Sequence, residues 1–397
     1  MATRLDPNLK KEVKEYGIKD SDKCMQCGLC SAVCPLATTE ESFPRKMIRL
    51  TQMGLRDKLI ASPEPWLCYY CGECSDFCPR GAEPGETMMG LRRYLTAQYD
   101  WTGFSKRFYT SERFEIFSIL GFALLIGLGF LLFAGESPDM EKARLSTFVD
   151  THVIEYLDLI MGAVLSALLL SNVYRMAKFQ MGDLIGKVPI SMYLGEVKEL
   201  IVHFITQKRF SKCHDQRQWF IHLLIMTSYC SIFFMVVVLL SGLGGLLPAF
   251  QTDEVRSIIH PYNLIGYYAT FGLLYGTTYA MIGRLRKNRP AYKHTHSTDW
   301  CFLILLWLTA FTGILINAFR SIGVDGLPLA TYVIYVLHIM VAVPMLVFEV
   351  PFAKWSHLAF RPVTIVLTNV KKKYHENLKF NPSFAKQVEN KSVETGN

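Results

Sequence analysis

Beyond residue 78, cysteine almost disappears from this chain. Only Cys213, Cys230 and Cys301 remain of the 11 cysteines, too few and too scattered for a disulfide framework. Met1 to Asp20 is polar and charged and lacks an apolar core region, so no signal peptide is read there. Residues 1–112 lack any alternating apolar/polar run, which argues against strands in that part. No constellation for substrate chemistry stands out, so nothing in these residues makes the chain an enzyme by itself. The net charge of +8 carries no signal for nucleic acid, because the basic residues gather in particular loops of an apolar chain. Apolar residues are what the chain has in excess: 51% are hydrophobic and the mean hydropathy is +0.21, as in integral membrane proteins.

The other eight cysteines form two copies of one run, Cys24-Met25-Gln26-Cys27-Gly28-Leu29-Cys30-Ser31-Ala32-Val33-Cys34-Pro35 and Cys68-Tyr69-Tyr70-Cys71-Gly72-Glu73-Cys74-Ser75-Asp76-Phe77-Cys78-Pro79. This is the C-x2-C-x2-C-x3-C-P spacing that holds [4Fe–4S] clusters, in which the fourth cysteine of each run ligates the other cluster. The spacing therefore predicts Cys24, Cys27, Cys30 and Cys78 around one cluster and Cys68, Cys71, Cys74 and Cys34 around a second. Zinc sites use ligands in pairs, not a repeated run of four followed by Pro. Gly28 and Gly72 suit a tight backbone path, and the thiolates require a reducing, cytoplasmic compartment.

The fold class read from the sequence is all-α. An α-helical two-cluster ferredoxin domain at 1–112 precedes a six-helix transmembrane haem b bundle at 113–360 and a cytoplasmic tail at 361–397. In the first part, helices are expected at 6–16, 43–54 and 86–99, the last with Met88, Met89, Leu91 and Tyr94 near one face. Trp66 and Leu67 either shield a cluster or fill a core. Residues 101–113 alternate Trp101, Phe104, Phe108 and Tyr109 with Lys106, Arg107 and Arg113, which suits an element at the lipid headgroups.

Six apolar segments, at 114–134, 152–174, 218–243, 256–283, 300–320 and 331–357, can each cross ~30 Å of hydrocarbon, which takes about 20 helical residues. Loops 175–217 and 284–299 are rich in Lys and Arg, and the tail carries Lys371, Lys372 and Lys373. The other loops are short or acid-containing. The positive-inside rule then gives a multi-pass protein of the cytoplasmic (inner) membrane with both termini in the cytoplasm.

Ionisable residues in spanning segments are rare and functional by default, and His is a common axial ligand of haem iron. Read on one helix, His338 and His357 lie about 28 Å apart, close to the hydrocarbon thickness. His222 and His357 are expected at the inner face, and His260 and His338 at the outer one, enough for two bis-His haems. His152 is a rival for His260, and His203 for His222. His214, His294, His296 and His375 are read as solvated. Glu155 and Asp158, near the outer face, are candidates for passing protons to a quinone, or are acids at an aqueous edge.

The paired runs, with Trp66-Leu67-Cys68 opening the second, resemble the C subunits of heterodisulfide reductases. His338 and His357 resemble the final-helix pair of the haem b subunits of heterodisulfide reductase and respiratory nitrate reductase, although the second His on an earlier helix is missing here. Their fusion in one chain resembles the C subunits of the quinone-interacting membrane-bound oxidoreductases of sulfate reducers. That resemblance implies two b haems beside the two [4Fe–4S] clusters, menaquinone as the membrane partner and heterodisulfide reductase A-like flavoprotein subunits A and B. It also implies a link to adenylylsulfate reductase in dissimilatory sulfate reduction. The expected function is electron transfer between menaquinol, haems, clusters and flavoprotein. The alternatives are the equivalent subunit of a heterodisulfide reductase or sulfite-reduction membrane complex, or a redox-sensing or structural membrane protein without haem.

Overall fold

The computed structural model describes residues 4–38, 43–133, 138–148, 151–240, 257–322 and 326–381. Among these residues the regular elements are all helical and there is no strand. The chain divides into two units: Met1–Lys106 with Leu169–Asp215 and Trp355–Asn397, and Arg107–Leu168 with Gln216–Lys354. The N-terminal part expected at 1–112 thus recruits two later segments.

In the first unit the helix Pro84–Tyr99 is central. Pro84 opens it, where a missing N–H costs nothing, and Met88, Leu91, Tyr94, Leu95 and Tyr99 are all buried. Each such side chain contributes about 1.5–3 kcal/mol by leaving water. Leu9 and Val13 of the helix Leu9–Lys14, and Met47 and Ile48 of the helix Arg45–Gln52, fill the same core. Arg56 ties the outer side together: its guanidinium donates to Asp6 (2.8 Å), to the Tyr94 hydroxyl (2.8 Å) and to Glu12. The expected helices at 6–16, 43–54 and 86–99 appear as Leu9–Lys14, Arg45–Gln52 and Pro84–Tyr99.

The late segments add the helices Ile190–Gly195, Val197–Thr206 and His357–Phe380 to this unit. The last packs on both of the others and on the short turn Glu64–Leu67. The stretch expected as a tail from 361 is therefore helical as far as Phe380, and residues 382–397 lie outside the described residues. Trp66 and Leu67 are buried, with the Trp66 ring 5.0 Å from Phe360 and 6.3 Å from Tyr99, so core packing is a role they do fill.

In the second unit, successive helices pair: Gln216–Phe234 with Pro261–Arg286, that helix with Ser297–Ser321, and Ser297–Ser321 with Pro328–Phe352, which also packs on Glu112–Phe133. Small residues let two backbones approach, since a Cβ at Gly272 would run into Ser228 and one at Gly276 into Ile225. Among the described residues five helices are long and apolar enough to cross a membrane: Glu112–Leu132, Val153–Leu184, Gln216–Val237, Ser297–Ser321 and Pro328–Phe352.

Three expected segments look different in the structure. The first, expected to span at 256–283, is the 26-residue helix Pro261–Arg286, whose Asn263, Thr277 and several tyrosines make it less apolar than those five. The last expected span, 331–357, is not one helix. It stops at Phe352, just past Pro351, Ala353 leaves helical geometry (φ −129°, ψ −139°), and a new helix starts at His357. The rise of about 28 Å between His338 and His357 on one helix therefore does not apply. Thirdly, Phe108 and Tyr109, expected among the headgroups, are buried within the second unit, and Phe108 stacks on Phe348 at 6.1 Å. Trp101 does stay exposed.

Gly90 tests the packing of the central helix. A Cβ there would strike Ile18 Cγ1 and come within 3.3 Å of the Tyr16 carbonyl, and Ile18 is itself buried. Ala gains about 1 kcal/mol of helix propensity over Gly, whereas overpacking costs about 1–3 kcal/mol. Gly90→Ala should therefore lower the Tm of the detergent-solubilised protein, followed by helical ellipticity; an unchanged or higher Tm would contradict the packing.

Candidate metal centres

The two cysteine runs trace the same backbone path. Gln26 and Tyr70 have φ of 61° and 59°, and Gly28 and Gly72 have φ of 90° and 89°. The left-handed region at Gly28 and Gly72 favours glycine, and each caps a one-turn helix that carries the third cysteine. This path turns backbone donors onto sulfur: the N–H of Gln26 lies 3.4 Å from Cys24 Sγ and that of Tyr70 3.4 Å from Cys68 Sγ. Ala82 N–H donates to Cys78 Sγ at 3.3 Å. Such bonds stabilise a thiolate.

Each run closes on a pocket that borrows from the other. Cys24, Cys27, Cys30 and Cys78 line one pocket of about 340 Å³; Cys34, Cys68, Cys71 and Cys74 line a second of about 350 Å³. Four thiols without His or carboxylate ligands are the donor set of zinc or of an iron–sulfur cluster. Among the described residues no three His, Cys, Asp or Glu side chains close around a single metal ion, as zinc–thiolate bonds of about 2.3 Å demand. The thiols instead ring a larger space, which fits a multi-iron group.

The pockets differ in setting. Cys27 of the first is exposed, and Arg45 and Arg80 on its rim are exposed too. In the second, Cys68 and Cys74 are buried. Burial pushes the Cys34 thiol up to about 12 and also raises Cys74, so metal loading there must displace protons. Cys213, outside both runs, is buried and its thiol bonds to Cys71, favouring the Cys71 thiolate and holding the proton on Cys213. The Cys68 carbonyl accepts from two guanidiniums, Arg361 (3.0 Å) and Arg92. Tyr70 donates to Glu86 at 2.7 Å, and Glu86 in turn takes Arg93 at 2.8 Å, anchoring the second run to the central helix.

The histidines are more dispersed. His338 lies on Pro328–Phe352, with its Nδ1 2.8 Å from Thr312 Oγ1. The Thr312 hydroxyl also lies 2.7 Å from the Leu308 carbonyl; with its proton there, His338 Nδ1–H donates and the lone pair sits on Nε2. An imidazole held in this way is what an Nε2 metal ligand requires. Gly313 faces the ring, where a Cβ would lie 3.4 Å from Cε1. His260 does the opposite: it caps Pro261–Arg286, its Nδ1 accepting the Tyr262 N–H at 3.3 Å, which puts its proton on Nε2. His222 is half-buried in the second unit and His357 half-buried in the first. His203 is buried in the first unit, and burial beside Arg209 holds it below the ordinary imidazole value. The side chain of His152 lies outside the described residues. Glu155 and Asp158 are exposed on Thr151–Met181.

Sequence reasoning passed over the buried acids of the second unit. Glu349 and Glu115 are fully buried; among the described residues, neither Glu115 carboxylate oxygen nor Glu349 Oε1 has a hydrogen-bond partner. Glu349 Oε2 accepts the Lys354 N–H at 2.9 Å, and the Lys354 ammonium pairs with Asp299. Glu349 had a readable signal, an acid inside an apolar run. Arg361 and Cys213 had none, because both lie far from the cysteine runs in sequence.

Comparison with known proteins bears on the first of these sites. The model of the 4Fe-4S dicluster domain family matches residues 20–82. Residues 20–82 are a 4Fe–4S ferredoxin domain. The chain is 39% identical over 98 residues to a protein of Archaeoglobus profundus described as like the C subunit of heterodisulfide reductase, covering 24% of this chain and 52% of that protein. It is 40% identical over 79 residues to the iron-sulfur C subunit of the CoB--CoM heterodisulfide reductase of Methanopyrus kandleri, covering 20% and 41%. Identity to the C subunit of the H(2):CoB-CoM heterodisulfide,ferredoxin reductase of Methanothermobacter marburgensis is 33% over 76 residues, covering 19% and 41%. The chain thus spans about half or less of the length of these relatives. No solved structure matches it.

The exchange of the fourth cysteine gives a counter-intuitive prediction. Cys78→Ala should abolish the iron–sulfur EPR signal of the pocket formed by the first run and spare the other, and Cys34→Ala should do the reverse. Loss that followed chain order instead would contradict the pockets.

Proposed function

We propose that the chain is a membrane electron-transfer subunit that passes electrons between a quinol in the bilayer and a soluble flavoprotein. The observation that carries the reading is the joining, in one chain, of two four-thiol pockets with a set of membrane-length helices that hold a histidine anchored by a hydroxyl. Cys24, Cys27, Cys30 and Cys78 hold one [4Fe–4S] cluster, and Cys34, Cys68, Cys71 and Cys74 the other. His338 and His357 are the leading haem b ligands. His222 and His260 complete the pairs, with His203 and His152 as rivals. When bound, clusters and haems supply one-electron chemistry at potentials that the protein tunes.

This chain's residues then have defined tasks. Thr312 fixes the His338 ring and its proton, leaving Nε2 to bind. Gln26, Tyr70 and Ala82 steady thiolates with N–H donors. Trp66, Tyr69 and Phe360 keep water from the second pocket, while the exposed Cys27 opens the first to a soluble partner. The basic loops set both termini in the cytoplasm, on the inner membrane. Menaquinone, A-like flavoprotein subunits A and B, and adenylylsulfate reductase are the partners that the fused architecture supports. A second reading, a member of a heterodisulfide reductase complex, is favoured by the names of the relatives; it keeps the cofactors and changes only the soluble partner.

Purified protein should show b-type bands in a reduced-minus-oxidised spectrum, and a menaquinol analogue should reduce them. His338→Ala should lose about half the haem while keeping the cluster EPR signals. A chain without b-type bands would sink the reading, and a His338→Ala protein with full haem would remove that ligand.

A further inference from the structure

We propose that Cys213 tunes the potential of the site formed by Cys34, Cys68, Cys71 and Cys74, by donating its S–H to the sulfur of Cys71. The inference rests on the reading of that pocket as a [4Fe–4S] site and on nothing in the membrane part. Cys213 belongs to neither cysteine run, yet it lies in the same unit and is buried. Its neighbours bring it there. The turn Phe210–Lys212 leads into it, and the Cys213 N–H donates to the Phe210 carbonyl at 3.0 Å. Phe210 stacks on Tyr69 with ring centroids 4.9 Å apart, and the His214 N–H donates to the Glu73 carboxylate at 3.1 Å. Tyr69 stands two residues before Cys71 and Glu73 two residues after it. The loop is thus clamped to the second run on both flanks of that ligand. Cys213 sits between the clamps, and its thiol meets Cys71.

Chemistry assigns the direction of that contact. A thiol carries one weak donor, whereas a metal-bound thiolate carries none and accepts. A buried thiol beside negative ligand sulfurs keeps its proton, so Cys213 donates and Cys71 accepts. Hydrogen bonds to the sulfurs are one of the levers that set a cluster's potential. Such a bond strengthens as its acceptor gains negative charge, so it favours the reduced state and raises the potential. The cluster takes up one electron on reduction, and the proton stays on Cys213. A buried free Cys can also serve as a small apolar filler, but the two clamps align this one with a ligand sulfur. The first pocket has no fifth thiol of this kind. Of the three cysteines outside the runs, Cys230 and Cys301 both belong to the second unit. Two sites with the same backbone path are therefore distinguished by a donor supplied from outside the runs.

The test is a redox titration of the full-length protein with dithionite, followed by EPR. In Cys213→Ala, the signal that Cys34→Ala abolishes should keep its intensity while its midpoint falls. The expected fall is about three- to tenfold in a one-electron equilibrium, where tenfold is about 59 mV. The signal that Cys78→Ala abolishes should stay in place. Cys213→Ser, which keeps a donor of nearly the same size, should shift the midpoint less, and it guards against an Ala variant that loses the cluster. In deuterium oxide, the wild-type signal should carry an exchangeable deuteron coupling that Cys213→Ala lacks. If Ala and Ser leave the midpoint unmoved or shift it alike, Cys213 is packing and the inference is overturned. If both variants lose that cluster and keep the other, Cys213 is a ligand or a structural part, and the inference is overturned as well. A wild-type protein without a Cys34-dependent signal would overturn the reading of the pocket itself.

Discussion

Each pocket needs a thiol that belongs to the other run, and the first unit is organised by that constraint. Neither four-thiol set can form until Cys78 has come back to the first run and Cys34 has reached the second. The runs must therefore be held against each other before any metal is gripped. The central helix Pro84–Tyr99 supplies the holding: Gly85 N–H donates to the Ser75 hydroxyl at 3.0 Å, and Glu86 accepts from Tyr70. On the first run, Gln52 donates to the carbonyls of Ser21 (3.1 Å) and Cys24 (3.2 Å). Arg93 spans the two sides from inside the core, pairing with Glu86 and donating to the Tyr16 carbonyl at 2.8 Å. Both ends of that ion pair are buried, so losing one partner would strand the other's charge, typically at about 3–5 kcal/mol.

The same unit reaches far along the chain. Its last helix begins only at His357, yet Phe360 and Arg361 are part of the wall behind Cys68. Both pockets are lined by residues 24–85, and the late helix stands behind the second through the contacts of Phe360 and Arg361.

The parts legible in the sequence were those encoded by local spacing. Two copies of a cysteine run name their partners, and the pockets group the thiols as that spacing does. Pro at the start and Gly past the end placed the helix Arg45–Gln52, and uninterrupted apolar runs placed five membrane-length helices. Illegible were the features set by tertiary contact. The apolar run through residue 357 hid a helix break, because Pro351 does not by itself stop a helix; the geometry at Ala353 does. Phe108 and Tyr109 looked interfacial because aromatics beside cations suit headgroups and cores alike. Burial, not pattern, decided between them. Arg361 and Cys213 read as one of many basic residues and a stray thiol, since hydrogen bonds across a fold leave no mark in local sequence. For the histidines, position in an apolar run speaks to depth but not to tautomer. Thr312 holds His338 by its Nδ1 side, whereas the Nδ1 of His260 is occupied as a cap.

In the proposed function one chain carries both cubane clusters and haem, so that an electron enters in the bilayer and leaves in the cytoplasm. Mössbauer spectroscopy of the purified, iron-57-enriched protein tests it most directly, because cubane and haem iron are counted in the same sample. Two [4Fe–4S] clusters and two b haems per chain are expected. Cubane iron without haem iron, or iron for a single cluster, would contradict it.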